Sequence, residues 1–122
     1  MSIELPDDFE GLVRANYALW SAGERDALFA VFEKLGPKGY TVEHVGKPVQ
    51  DGPTAVQEMW NRFGGRCTAE IVQLFVNGNE AAAYVHNIFP GADGPVIHPS
   101  LETYKVANGR LEIRYHYQAA DH

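Results

Sequence analysis

The chain lacks most of the features that place a protein quickly. It has one cysteine, Cys67, among 122 residues. No disulfide can close within the chain, and nothing in cysteine usage points to an oxidising, secreted setting. There is no stretch of about 20 apolar residues and no apolar run behind a basic start, so neither a membrane span nor a leader is predicted. The expectation is a cytoplasmic protein with no membrane partner. Positive charge is scarce: 10 Lys and Arg stand against 16 Asp and Glu, for a formal net charge of −6. Phosphate backbones need the opposite balance, which argues against a nucleic-acid partner. No repeat, low-complexity tract or long linker divides the chain, so residues 1–122 read as one domain. No close-spaced Cys/His ligand motif and no glycine-rich phosphate loop is present, so no metal and no cofactor is expected.

What remains is ordinary globular material, 45% hydrophobic and 21% charged, in a chain long enough to bury a core. Pro6-Asp7 opens a first helix, with Asp7 and Glu10 spaced like a capping box. Phe9, Leu12, Val13, Asn16 and Trp20 follow at helical spacing, and Ser21-Ala22-Gly23 ends the run. A second helix carries Leu28, Val31, Phe32 and Leu35 and stops at Gly36-Pro37. Tyr40 to Val45 reads as a short strand. Asp51-Gly52-Pro53 starts a third helix, whose apolar face is Val56, Met59, Trp60 and Phe63. Beyond Gly64-Gly65 the pattern is strand: Arg66 to Val76, Glu80 to Phe89, Val96 to Ala107 and Arg110 to Gln118. Asn77-Gly78 and Asn108-Gly109 supply hairpin turns. The expected fold class is α+β, with three N-terminal helices packed on a strongly curved antiparallel sheet that forms a cone-shaped pocket.

Three side chains far apart in sequence carry the chemistry. Tyr17 lies on the first helix, His44 ends the first strand in Tyr40-Thr-Val-Glu-His44, and Glu102 lies on a late strand in Ser100-Leu-Glu-Thr-Tyr104. A phenol, an imidazole and a carboxyl suit proton transfer beside a polarised carbonyl. An imidazole is largely neutral near pH 7 and accepts a proton, while a carboxyl on a buried face is costly unless protonated or paired. Strand alternation groups Tyr84, His86 and Ile88; then His98, Ser100, Glu102 and Tyr104; then Glu112, Arg114, His116 and Gln118 against Leu111, Ile113, Tyr115 and Tyr117. Alternation alone leaves open which set faces inward, and Pro99 invites a bulge that would shift the register. His86, His98 and His116 beside Glu102 give an alternative, metal-binding reading, and Arg114 is expected to pair with Glu102 or Glu112.

The helix–helix–strand–helix–meander order resembles the nuclear transport factor 2-like superfamily, and within it the ketosteroid isomerase and SnoaL-like group. The resemblance runs from about Phe9 to Tyr117. It rests on Gly11-Leu-Val-Arg-Ala-Asn-Tyr17, Thr41-Val-Glu-His44, Gly52-Pro-Thr-Ala-Val-Gln-Glu-Met-Trp60 and Val106-Ala-Asn-Gly-Arg-Leu111. In ketosteroid isomerases a first-helix tyrosine and a protonated late-strand acid form the oxyanion hole, and an aspartate ending the first strand is the base. The resemblance implies Tyr17 and Glu102 for the first two roles and His44 in place of the aspartate. It implies that Phe32 and Trp60 stand where the family has supporting tyrosines. It also implies an inward set of Tyr84, His86 and Ile88, then His98, Ser100 and Glu102, then Arg114, His116 and Gln118, which is too polar for a steroid. Met59, Trp60 and Phe63 would add an apolar wall.

The implied function is a cofactor-independent isomerase acting on a small organic substrate. One rival is a dehydratase or polyketide-cyclase-like enzyme using His86 and His98. The other is a non-catalytic ligand-binding module. A homodimer is expected through the outer sheet face, with Leu111, Ile113, Tyr115 and Tyr117 as its apolar patch.

Overall fold

The computed structural model describes residues 3–119. Helix α1 is Phe9–Ala22, α2 is Arg25–Leu35, and α3 is Gly52–Phe63. Strands are β1 Tyr40–His44, β2 Gln50–Asp51, β3 Thr68–Asn77, β4 Glu80–Phe89, β5 Val96–Ala107 and β6 Arg110–Tyr117. The six strands form one sheet in the order β2-β1-β6-β5-β4-β3. Every neighbouring pair is antiparallel except β1 and β6, which run parallel.

Local signals set most of these elements. The N-cap of α1 is Asp8, not the expected Asp7: its carboxylate accepts from the Gly11 N–H at 2.9 Å. Asp7 instead pairs with Lys34 of α2 at 2.6 Å. Gly23, at φ 75°, takes the left-handed conformation that closes the helix. Asp51 caps α3 by accepting from the Thr54 N–H at 3.1 Å, and Pro53 fills the first turn. Asn108 and Gly109 both have positive φ, 55° and 76°, as the tight turn between β5 and β6 requires.

Helices α1 and α2 pack on each other and on the inner face of the sheet. Leu12, Val13, Leu28, Val31, Phe32 and Leu35 meet Tyr40, Val42, Ala83, Val85, Tyr104, Leu111 and Ile113 in one buried cluster. The last strand therefore faces the opposite way from the resemblance-implied assignment. Leu111, Ile113 and Tyr115 are buried on the inner face, while Glu112, Arg114 and His116 lie on the outer one. The physical reason is plain. The parallel register sets Leu111, Ile113 and Tyr115 beside Tyr40, Val42 and His44, under the helices, where a charged set would be desolvated.

Strand β4 is inverted in the same way. Ala81, Ala83 and Val85 are buried, and Tyr84 is exposed on the outer face with His86 and Ile88. Pro99 pairs with His86 without a register break, and the bulge falls instead at Val72, between Ile71 and Gln73 of β3.

Gly52 lets the start of α3 pack closely against Tyr40 of β1. A Cβ there would overlap the Tyr40 ring and lie 2.5 Å from the Tyr40 carbonyl oxygen. Gly52→Ala is expected to destabilise the fold by about 1–3 kcal/mol, the usual range for overpacking against backbone. Urea unfolding would show it as a lower midpoint, and an unchanged midpoint would rule the clash out.

Candidate active site

The curved sheet and the helices enclose a cavity of about 1390 Å³. Its lining includes Tyr17 from α1, His44 from the end of β1, and Glu102 from the middle of β5. Phe32, Met59, Phe63 and His98 also line it, with Trp20, Leu28, Val56 and Phe89 completing much of the apolar wall. Trp60 does not; it packs edge-to-face on Trp20 at 5.3 Å.

At the floor, Glu102 is 7% exposed and Tyr17 5%. The Tyr17 hydroxyl donates to Glu102 Oε1 at 2.7 Å, and Ser100 Oγ donates to Oε2 at 2.7 Å. Behind Tyr17, the Tyr104 hydroxyl lies 2.6 Å from the Tyr17 oxygen and 3.3 Å from Oε1. Because the Tyr17 proton is engaged by Glu102, the single Tyr104 proton is shared between Tyr17, along the shorter contact, and Oε1, along the longer. Asn16 Nδ2 donates to Tyr104 at 2.9 Å, and Asn87 Nδ2 donates to Ser100 Oγ at 2.9 Å. The whole network thus has one polarity: two amides start two chains, and both chains end on the Glu102 carboxyl.

Two opposing effects act on that carboxyl. Burial favours the neutral acid, and the bonds from Tyr17, Ser100 and Tyr104 favour the carboxylate. Burial is the larger, so the pKa of Glu102 is raised above the ordinary glutamate value. Burial likewise lifts Tyr17 and Tyr104 well above the usual phenol range, reinforced at Tyr17 by Tyr104 and then Glu102, and at Tyr104 by Glu102. Both phenols stay protonated as donors.

Nearer the mouth, His44 is half-buried, and its Nδ1 lies 2.7 Å from the Tyr117 hydroxyl. Burial, then Lys47, lowers the imidazole pKa, and Glu58 partly offsets this. His44 is therefore neutral near pH 7. Tyr117 is pushed up to about 12 by burial and, second, by Glu102.

The fold brings together the three side chains on which the sequence reading centred and scatters several others. Tyr84, His86, Ile88, Arg114 and His116 were expected in the pocket and lie on the outer face. Arg114 binds Glu43 at 3.1 Å rather than Glu102 or Glu112, because the parallel register places Glu43 and Arg114 side by side. His86 and His98 fall on opposite faces, since His98 pairs with Asn87 on the inner one. This removes the proposed working pair. Among the described residues no cluster of three His, Cys, Asp or Glu suits a metal ion. Ser100 is buried behind Glu102 and acts on its oxygen, not on the cavity. Sequence reasoning missed Tyr104, Asn16 and Asn87. Tyr104 was readable as the same-face neighbour two residues after Glu102, and its hydroxyl supports Tyr17 from behind.

No protein-family model and no curated protein matches the sequence. Solved structures do. The epoxide hydrolase/cyclase-like enzyme SalBIII, of pyran ring formation in the polyether salinomycin, is 18% identical, with a TM-score of 0.72 over 93% of this chain and 95% of that one. A putative polyketide cyclase from Xanthomonas campestris pv. campestris is 18% identical, with a TM-score of 0.61 over 89% of each chain. A nuclear transport factor 2-like protein of unknown function from Cytophaga hutchinsonii is 12% identical, with a TM-score of 0.63 over 97% of this chain and 95% of that one. The helix order, the curled six-stranded sheet and these likenesses give the chain the nuclear transport factor 2-like fold.

Proposed function

We propose that the protein is a cofactor-independent enzyme that moves a proton on a small, largely apolar carbonyl compound, with Glu102 as the base. The observation that carries this is the buried Glu102 carboxyl, fixed at both oxygens by Tyr17 and Ser100 and raised in pKa by its burial. A base works best when its pKa approaches the working pH, and burial of a carboxyl moves it that way. The sequence reading gave His44 the base role and made Tyr17 and protonated Glu102 the oxyanion donors. The hydrogen-bond polarity favours Glu102 as acceptor instead, since the Tyr17 proton is already directed at it. His44 stands two strands away on the same inner face, with Tyr115 between. That separation is roughly 10 Å between Cα atoms, two strand spacings. It leaves room for a C–H acid at Glu102 and its carbonyl oxygen toward His44.

The test is α-proton exchange in deuterated water, followed by NMR over a panel of small cyclic β,γ-unsaturated ketones. Exchange or double-bond migration with the wild type, lost in Glu102→Gln, is the expected result. A ketone that binds in the cavity and neither exchanges nor isomerises would contradict the assignment. The cyclase and epoxide hydrolase/cyclase neighbours support a second reading on the same residues. In it Glu102 deprotonates a hydroxyl or water that then attacks, and hydrolysis or ring closure in the same panel format would reveal it.

The homodimer is proposed again, with a different surface. Of the four β6 residues first assigned to it, Leu111 and Ile113 are buried in the core, and Tyr115 and Tyr117 line the cavity. The outer sheet face instead exposes Phe75 at 59%, Ile97 at 49%, Leu101 at 44% and Tyr84 at 38%. Glu70, Lys105, Glu112 and Arg114 share that face, so charges of both signs border the patch. A mixed-sign rim is what a surface needs to pair with itself about a two-fold axis. Light scattering is expected to give a dimer at micromolar concentration and a monomer for Leu101→Glu. A wild-type monomer would overturn the assignment.

A further inference from the structure

The contact between His44 and Tyr117 belongs to neither the Glu102 network nor the apolar wall. The two ring planes lie 14° from parallel with centroids 5.8 Å apart, and Nδ1 is 2.7 Å from the hydroxyl oxygen. At that distance the hydroxyl is hydrogen-bonded to Nδ1, through the Nδ1 lone pair or through its proton. Two arrangements satisfy that geometry. Either Nδ1–H donates to the phenol oxygen, or the phenol O–H donates to bare Nδ1.

The chemistry of the pair favours the second. A phenol is a good donor and a weak acceptor, because the ring withdraws its oxygen lone pair. A neutral imidazole nitrogen is a strong acceptor. Among the described residues, Nδ1 is the one hydrogen-bond partner of the Tyr117 hydroxyl. The reverse arrangement would leave the phenol proton to solvent alone, since Tyr117 is 58% exposed. The groups that face His44 are Tyr115 and Tyr117 from β6, Lys47 from the turn after β1, and Glu58 from α3. Lys47 opposes protonation of the ring and Glu58 favours it. Neither replaces Tyr117 at Nδ1.

We infer that Tyr117 holds His44 as the neutral Nε2–H tautomer, so that His44 presents a hydrogen-bond donor to the cavity rather than a base. Nε2 has no protein partner among the described residues and is left for a ligand oxygen. The substrate class this fits is a compound carrying an acceptor, such as a ketone oxygen, about one ring's width from the atom that meets Glu102. The role of His44 in turnover rests on the proposed function, whereas the tautomer does not. Proton transfer balances simply: the proton leaves the α-carbon for Glu102, and charge gathers on the oxygen that accepts from Nε2–H. Return of the proton from Glu102 to another carbon restores both groups. Tyr117 acts through His44 and is a positioning residue.

Nitrogen-15 NMR of the histidine ring, without substrate, tests the tautomer. Wild type is expected to show His44 as Nε2–H with its Nδ1 resonance displaced by an accepted hydrogen bond, and Tyr117→Phe to return that resonance to the unbonded position. If wild-type His44 is Nδ1–H, the inference is overturned and Nε2 is again a candidate base. Tyr117→Phe is also expected to lower kcat about tenfold with little change in KM, the effect of one misdirected hydrogen bond. Unchanged kcat, with the tautomer altered, overturns the role assigned to His44. Since the NMR result needs no turnover, failure of the proposed reaction is seen separately from failure of the tautomer.

Discussion

Glu102→Gln is expected to lower turnover by roughly 100- to 10,000-fold, the contribution of a positioned base. The substitution keeps the side chain's shape and its capacity to accept from Tyr17 but removes the ability to take a proton. Ligand affinity should change little, because the base acts mainly in the transition state. The same variant should be more stable than wild type at neutral pH. The unfolded chain titrates Glu102 near pH 4.3, and burial raises that value in the folded state. Between the two values the folded state holds the proton more tightly than the unfolded one. Wild-type stability from this group therefore falls as pH rises through that window, and the full cost is present above the folded pKa. Thermal melts of wild type and Glu102→Gln should converge near pH 4 and separate as pH rises, with the glutamine variant melting higher. Separation in the other direction would mean that the three donors outweigh burial and that Glu102 is a fixed carboxylate.

Phe32→Ala is expected to destabilise the fold by about 3–5 kcal/mol, as for other buried aromatics truncated to alanine. Phe32 is 2% exposed and stacks on Tyr40 with ring centroids 5.4 Å apart. Such a loss is a large share of the roughly 5–15 kcal/mol that holds a domain folded. Phe32 also borders the cavity, so wall and core are one side chain here. Phe32→Leu should keep most of the stability while widening the pocket. Chemical denaturation separates the two. A Phe32→Ala protein as stable as wild type would show that the ring belongs to the pocket alone.

The parts of this fold that were legible in the sequence are those fixed by neighbours in the chain. Asn108-Gly109 announced a turn because positive φ at both positions favours those residues. The helix boundaries followed from Gly23, Gly36 and the Asp51-Gly52-Pro53 start. The parts that were not legible depend on partners far away. Pairing of β1 with β6 joins Tyr40–His44 to Leu111–Tyr115, and no local pattern encodes a parallel contact across that distance. It fixes the facing of β6, and with it the placement of Arg114 and His116.

Plain hydrophobicity pointed the right way at that strand. Leu111 and Ile113 belong in a core by their chemistry, and the residue-by-residue resemblance led away from it. Tyr17, His44 and Glu102 were singled out by their positions in the order of elements, and all three line one cavity. The supporting side chains were harder. Asn16 counted as one more residue on an apolar helix face, although an amide there needed a buried partner. Tyr104 was seen only as a neighbour of Glu102.

The most direct measurement is a carbon-detected NMR titration of the Glu102 carboxyl in the ligand-free protein. Desolvation at the cavity floor, outweighing the donors Tyr17, Ser100 and Tyr104, predicts a midpoint clearly above the ordinary value of about 4.3. Tyr17→Phe, which removes a donor to the carboxylate, should move it higher still. A midpoint at or below that ordinary value would contradict the account, since a carboxylate held that firmly is a poor acceptor for a proton from carbon.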